Sequence, residues 1–138
     1  MVSIVDRAHR GAVHPFPAAM LAGSLSLFLC TLLADYAYWS SYQIEWSNFA
    51  SWLLIGGMVF VTIALLFALT DLFRNKRGLV YTLVLAAIWI LGFINALQHA
   101  RDAWAIMPTA LVLSVIVAVL ACVATWIGFS SLRVGGAK

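Results

Sequence analysis

Charged side chains along this chain gather in short clusters, and between them lie four long stretches that carry none: Gly11 to Ala34, Trp46 to Thr70, Gly78 to Ala100 and Ala103 to Leu132. Each exceeds the roughly 20 residues a helix needs to cross about 30 Å of hydrocarbon. None of them alternates with the two-residue period of a barrel strand. A helix satisfies its own backbone hydrogen bonds where water is absent, so the pattern predicts four membrane-spanning helices. They are placed at about Phe16 to Trp39, Asn48 to Phe73, Leu79 to Gln98 and Pro108 to Ser131. The connections between them are too short to fold alone. The expected fold is therefore all-α, a four-helix transmembrane bundle forming a single integral membrane domain over residues 1–138.

Composition excludes the alternatives. Of 138 residues, 64% are hydrophobic and 9% are charged, where soluble domains carry roughly a quarter charged. So few charges cannot cover a surface facing water, and so apolar a chain does not stay disordered. Of the eight basic residues, Arg7 and Arg10 precede the first span, Arg74, Lys76 and Arg77 separate the second from the third, and Arg133 and Lys138 follow the fourth. Only Arg101 lies on the other side. This bias predicts both termini in the cytoplasm, with the chain multi-pass in its membrane. The net charge of +3 thus reports topology, and no nucleic-acid partner is expected. The apolar run after Arg10 is too long for the core of a signal peptide and lacks a small-x-small cleavage site before Asp35 and Tyr36, so it reads as a retained first helix.

Several features have structural explanations. Cys30 and Cys122 fall near mid-membrane at depths that differ by about 10 Å, too far for a disulfide. Trp39, Trp46, Trp52 and Trp104, with Tyr36, Tyr38 and Tyr42, are placed at or near the outer interface as an aromatic belt. Small residues mark the expected packing seams: Ala19 with Gly23, Gly56 with Gly57, Gly92, and the row Ser114, Ala118 and Cys122.

Polar groups within the spans are costly to keep there and become the candidate functional residues. They form two layers. The outer one holds Asp35, Asn95, His99 and Ser114 at similar depth. Ser24, Thr31 and Asp35 share one face of the first helix, and Gly92, Asn95 and His99 share one face of the third, so Asp35 can meet Asn95 or His99. Such a layer serves either as an interhelical polar clamp or as a proton-linked or ligand-binding site. The inner interfacial layer holds His14 beside Pro15 and Pro17, Asp71, Arg74, Arg77, Tyr81, Thr125 and Trp126. There Arg74 and Arg77 can pair with Asp71, and His14 can cap or contact it.

No catalytic constellation emerges, and phosphate-loop, dinucleotide, nucleophile-elbow and zinc-protease motifs are absent, so the chain is not expected to be an enzyme. No metal site is expected. His14 and His99 lie about a bilayer apart, roughly 30 Å, and cannot share one haem iron within a subunit.

Six motifs in order carry a family resemblance: His14-Pro15-Phe16-Pro17; Leu33-Ala34-Asp35 with Trp39; Thr70-Asp71-Leu72-Phe73; Ile94-Asn95; Pro108 with Leu113-Ser114; and Thr125-Trp126-Ile127-Gly128. Together they resemble the bacterial predicted membrane protein family called domain of unknown function 2231, over about residues 14 to 128. The resemblance implies a four-helix inner-membrane protein without an established activity, and a family whose members accompany redox proteins such as Rieske-type and sugar-dehydrogenase partners. This chain departs from the family in carrying Tyr81 where many members have a histidine, Leu85 at a nearby asparagine position, and Thr125-Trp126-Ile127-Gly128-Phe129 in place of Gly-Trp-Leu-Gly-Gly.

Three functional readings follow. The leading one is a non-catalytic accessory or anchoring subunit that packs against a larger membrane complex, possible respiratory partners included, or against further copies of itself. The second is a quinone- or haem-associated electron-transfer module. The third is a small proton- or solute-conducting bundle centred on Asp35.

Overall fold

The structure, a computed structural model, describes residues 15–136, with side-chain surroundings for residues 15–130. Five helices follow one another: α1 (Pro15–Ser41), α2 (Ile44–Asn75), α3 (Leu79–His99), the single-turn α4 (Ala103–Ile106) and α5 (Thr109–Gly136). No strand occurs among the described residues. Over Pro15–Ser41, Ile44–Asn75, Leu79–His99 and Thr109–Ser130 the helices are long and apolar enough to cross a membrane. The chain is an all-α bundle of four such helices.

Local chemistry sets their ends. Pro15 and Pro17 open α1, where the missing N–H groups have no intrahelical partner to lose. The second helix begins at Ile44, four residues before the expected Asn48, with Glu45 in its first turn. A carboxylate there faces the positive end of the helix dipole, so a charge that marked a boundary in the sequence lies inside the helix. At the other end Lys76 adopts φ 52° and donates its N–H to the Leu72 carbonyl, and Gly78 at φ 75° leads into α3. α4 was not legible as a separate element, because Ala103–Ile106 continues the apolar composition of the fourth stretch.

Successive long helices run antiparallel. α1 packs on α2 and α5, and α3 packs on the same two, so α1 and α3 sit diagonally across the bundle. One end carries residues 42–43 and 100–108 and is rich in tryptophan and tyrosine; the other carries the 76–78 turn with Lys76 and Arg77, just after Arg74 in the last turn of α2. These are called the aromatic and basic ends below.

Between the ends the core is apolar. Phe28, Leu54, Val61, Leu85, Ile88, Val117, Ala121 and Ala124 are buried together. On α5 the inward row runs Ala110, Ser114, Val117, Ala121 and Ala124. The expected row through Cys122 is corrected: steps of four drift around a helix of 3.6 residues per turn, and Cys122 is exposed, as is Cys30. Ala19 likewise faces outward, and Gly23 makes the α1 contact, against Phe60. Tyr38 leaves the aromatic belt. It is 2% exposed, and its hydroxyl donates to the Ala103 carbonyl at 2.9 Å.

Close approach of α1 to α2 depends on Gly57. A Cβ there would lie 2.6 Å from Cε1 of the buried Phe28 ring. Gly57→Ala is expected to cost about 1–3 kcal/mol through overpacking, seen as a lower midpoint in denaturing-detergent unfolding. Adding Phe28→Leu should recover part of the loss. An unchanged midpoint for Gly57→Ala would contradict this packing.

Candidate functional site

Asp35 lies in the last third of α1, about 9 Å of helix before Ser41 at 1.5 Å per residue. Its side chain is 0% exposed. A carboxyl group in that position must find its hydrogen bonds inside the bundle. It finds them on two other helices. His99 Nε2 on α3 lies 2.8 Å from Oδ1, and Ser114 Oγ on α5 donates to Oδ2 at 2.5 Å. Ser114 Oγ in turn accepts from Asn95 Nδ2 at 2.8 Å. His99 Nδ1 lies 2.9 Å from the Asn95 backbone oxygen. The four residues of the outer layer therefore form one closed circuit: from the Asn95 side chain through Ser114, Asp35 and His99, back to the Asn95 main chain.

The spacing that builds the circuit is helical. Asn95 and His99 are one turn apart on α3, so a single face supplies both ends of the loop. Asp35 to His99 crosses the diagonal of the bundle, and Ser114 closes the gap from the side. The residues that make room are small: Gly92 is buried one turn before Asn95 and lies against Met58 of α2.

Donor and acceptor chemistry fixes most of the protons. A backbone carbonyl only accepts, so His99 Nδ1 carries hydrogen. One further proton lies between Nε2 and Oδ1. The pair thus has zero net charge, whether that proton sits on nitrogen or on oxygen. Ser114 gives its hydrogen to the carboxylate and not to the imidazole, so no base activates its hydroxyl as a nucleophile. One buried polar atom remains outside the circuit: Asn95 Oδ1 has no partner.

A cavity of about 150 Å³ lies beside the circuit between α2 and α3, lined by Ser51, Leu54, Ile55, Ala96, His99 and Ala100. His99 alone of the four reaches it.

The inner set is not assembled in the same way. His14 lies outside the described residues. Asp71 and Arg74 are exposed, and no ion pair joins Asp71 to Arg74 or Arg77 among the described residues. The expected pairing with Arg77 is corrected, because the left-handed Lys76 ends α2 and takes Arg77 out of helical register. Tyr81 is half-buried and packs toward Gly128. Thr125 bonds back to the Ala121 carbonyl at 2.7 Å, and Trp126 is 78% exposed. Among the described residues no cluster of three His, Cys, Asp or Glu side chains could hold a metal ion.

Sequence reasoning named all four members of the circuit but missed the role of Tyr38, whose bond to Ala103 ties α1 to α4 one turn beyond Asp35. Its i+3 spacing from Asp35 was the available signal.

His99→Leu leaves the carboxylate buried without its partner, and the expected cost is about 3–5 kcal/mol. Ser114→Ala removes one donor and should cost about 1–3 kcal/mol. Unfolding in mixed detergent micelles checks the order; an equal or smaller effect for His99→Leu would contradict the circuit.

The family model described as Predicted membrane protein (DUF2231) matches residues 12–134. No curated protein and no solved structure matches the chain. With four membrane-capable helices and a match over nearly its whole length, the chain belongs to the DUF2231 family of predicted membrane proteins.

Proposed function

We propose that the chain is a non-catalytic accessory or anchoring subunit that packs against a larger membrane assembly. Its place on this reading is the bacterial cytoplasmic membrane, with both termini and the basic end on the cytoplasmic side. The observation that carries the proposal is the closure of the polar circuit. Every titratable group in it is turned toward another member, both nitrogens of His99 are engaged, and the hydroxyl of Ser114 is committed to a carboxylate. A group so committed holds helices together and presents nothing reactive to a substrate.

Two further features fit. Exposed Arg74, Lys76 and Arg77 gather at one end, which supports the orientation. On the outward face of α1, Ala22, Ser26 and Cys30 follow one another at steps of four and are exposed. Small side chains in such a row let a neighbouring membrane helix approach closely. An electron-transfer role draws less support, because His99 has no free nitrogen to offer a quinone or an iron. A conducting role draws less support because Phe28, Leu54, Leu85 and Ile88 fill the interior between the circuit and the basic end.

Purification from native membranes in mild detergent tests the proposal. The expected result is a membrane-protein partner in fixed stoichiometry whose recovery falls severalfold with Ser26→Leu. A chain that purifies alone, or a partner indifferent to Ser26→Leu and to the other α1 positions, would overturn it.

A further inference from the structure

We infer that the basic end is a binding surface for anionic phospholipids, with headgroup phosphate held by Arg74, Lys76 and Arg77 and the upper part of the acyl chains against Phe73, Leu79 and Val80. The surface is separate from the polar circuit, and it serves whether or not a partner packs on α1.

Charge is the first observation. Between Asp71 and Val80 the chain carries three cations and one carboxylate. Arg74, Lys76 and Arg77 are exposed, and none of their side chains has an ion pair or hydrogen bond among the described residues. Asp71 is exposed as well and pairs with neither arginine. The helix end accounts for one cation at most: Arg74 lies in the last turn of α2, where the carbonyl groups favour positive charge. Lys76 and Arg77 lie beyond it. Lys76 at φ 52° and Gly78 at φ 75° carry the chain from α2 into α3 in three residues, so the cations sit on a tight connection and cannot spread apart on a long loop. Like charges so close repel one another, and a negative group from outside the chain offsets that.

Depth decides what that group is. α3 has 21 residues, a rise of about 31 Å at 1.5 Å per residue, which matches a hydrocarbon core of about 30 Å. With α3 filling the core, Leu79 lies at its edge, and Lys76 and Arg77 lie in the layer of lipid phosphates. Beside the cations are apolar side chains without cover: Phe73 is 78% exposed, Leu79 56% and Val80 63%. A water-soluble acidic partner would meet the cations and leave those three groups aside. A phospholipid meets both. The guanidinium forks can each bond two phosphate oxygens, and Lys76 adds a point charge. Net charge then sets the preference, because a zwitterionic headgroup carries the same phosphate together with an ammonium that the cations repel.

The aromatic end has no such excess. Arg101 shares it with exposed Glu45 and Asp102, and its guanidinium donates to Gln98 Oε1 at 3.2 Å.

Native mass spectrometry of the full chain in mild detergent, titrated with phosphatidylglycerol or phosphatidylcholine, tests this directly. The expected result is tighter binding of phosphatidylglycerol, lowered about fivefold by Arg77→Gln and unchanged by Arg101→Gln. Arg74→Gln, Lys76→Gln and Arg77→Gln together should bring the two lipids level, whereas Arg74→Lys with Arg77→Lys should keep the preference. Polyglutamate, standing in for an acidic protein surface, should not displace the lipid. Equal binding of the two lipids by the wild type, a preference that survives the triple variant, or displacement by polyglutamate would each overturn the assignment. If the triple variant does not fold, Arg77→Gln, placed on the turn outside both helices, decides: an unchanged affinity there would overturn it.

Discussion

A carboxyl group placed among apolar helices has no water to turn to, and the structure is arranged around meeting that need from within. Asp35 receives an imidazole from α3 and a hydroxyl from α5, while α2 supplies the packing that holds those helices in position. Two helices that do not otherwise pack closely, α1 and α3, are joined across the diagonal at one level. Interhelical hydrogen bonds in membranes are individually weak, about 0.6 kcal/mol on average. The strength of this arrangement lies in mutual dependence, because withdrawing Asp35, His99 or Ser114 leaves a buried polar atom of another member without its partner.

The same constraint explains the difference between the two ends. At the aromatic end the polar circuit, the Tyr38 bond to Ala103 and the stacked rings of Tyr42 and Trp104, 6.0 Å between centroids, close the bundle. At the basic end charged side chains are exposed, and half-buried Tyr81 packs beside Gly128. Between them the interior is held by shape. Gly57 admits the Phe28 ring, Gly92 admits Met58, and Trp89 reaches Thr62 at 3.0 Å on the lipid-facing side. Helices separated by larger residues at those positions would hold Asp35, His99 and Ser114 too far apart to bond.

The layout was legible in the sequence because lipid imposes it at the level of composition: four uncharged stretches became four long helices, and Asp35, Asn95, His99 and Ser114 all belong to the inward face. Less legible was whatever depends on side-chain direction within one turn. Cys122 and Tyr38 share the composition of the seam and of the belt, and only helix phase decides that one faces out and the other in. The pairing of Asp71 with Arg77 failed for a related reason, since the left-handed turn at Lys76 has no glycine to announce it. The connectivity of the circuit was also hidden. Position and depth suggested that Asp35 meets His99 or Asn95, whereas Ser114 stands between Asp35 and Asn95 and makes the loop closed.

The central claim is that Asp35 and His99 act as one buried unit, and a double-mutant cycle of Asp35→Leu and His99→Leu, followed by reversible unfolding in mixed micelles, tests it most directly. Each single variant strands a polar group in an apolar surrounding, whereas the double variant strands neither of the pair. The account predicts that the double variant is at least as stable as the weaker single variant, with a coupling energy above about 2 kcal/mol. Losses that add to within about 0.5 kcal/mol would contradict it.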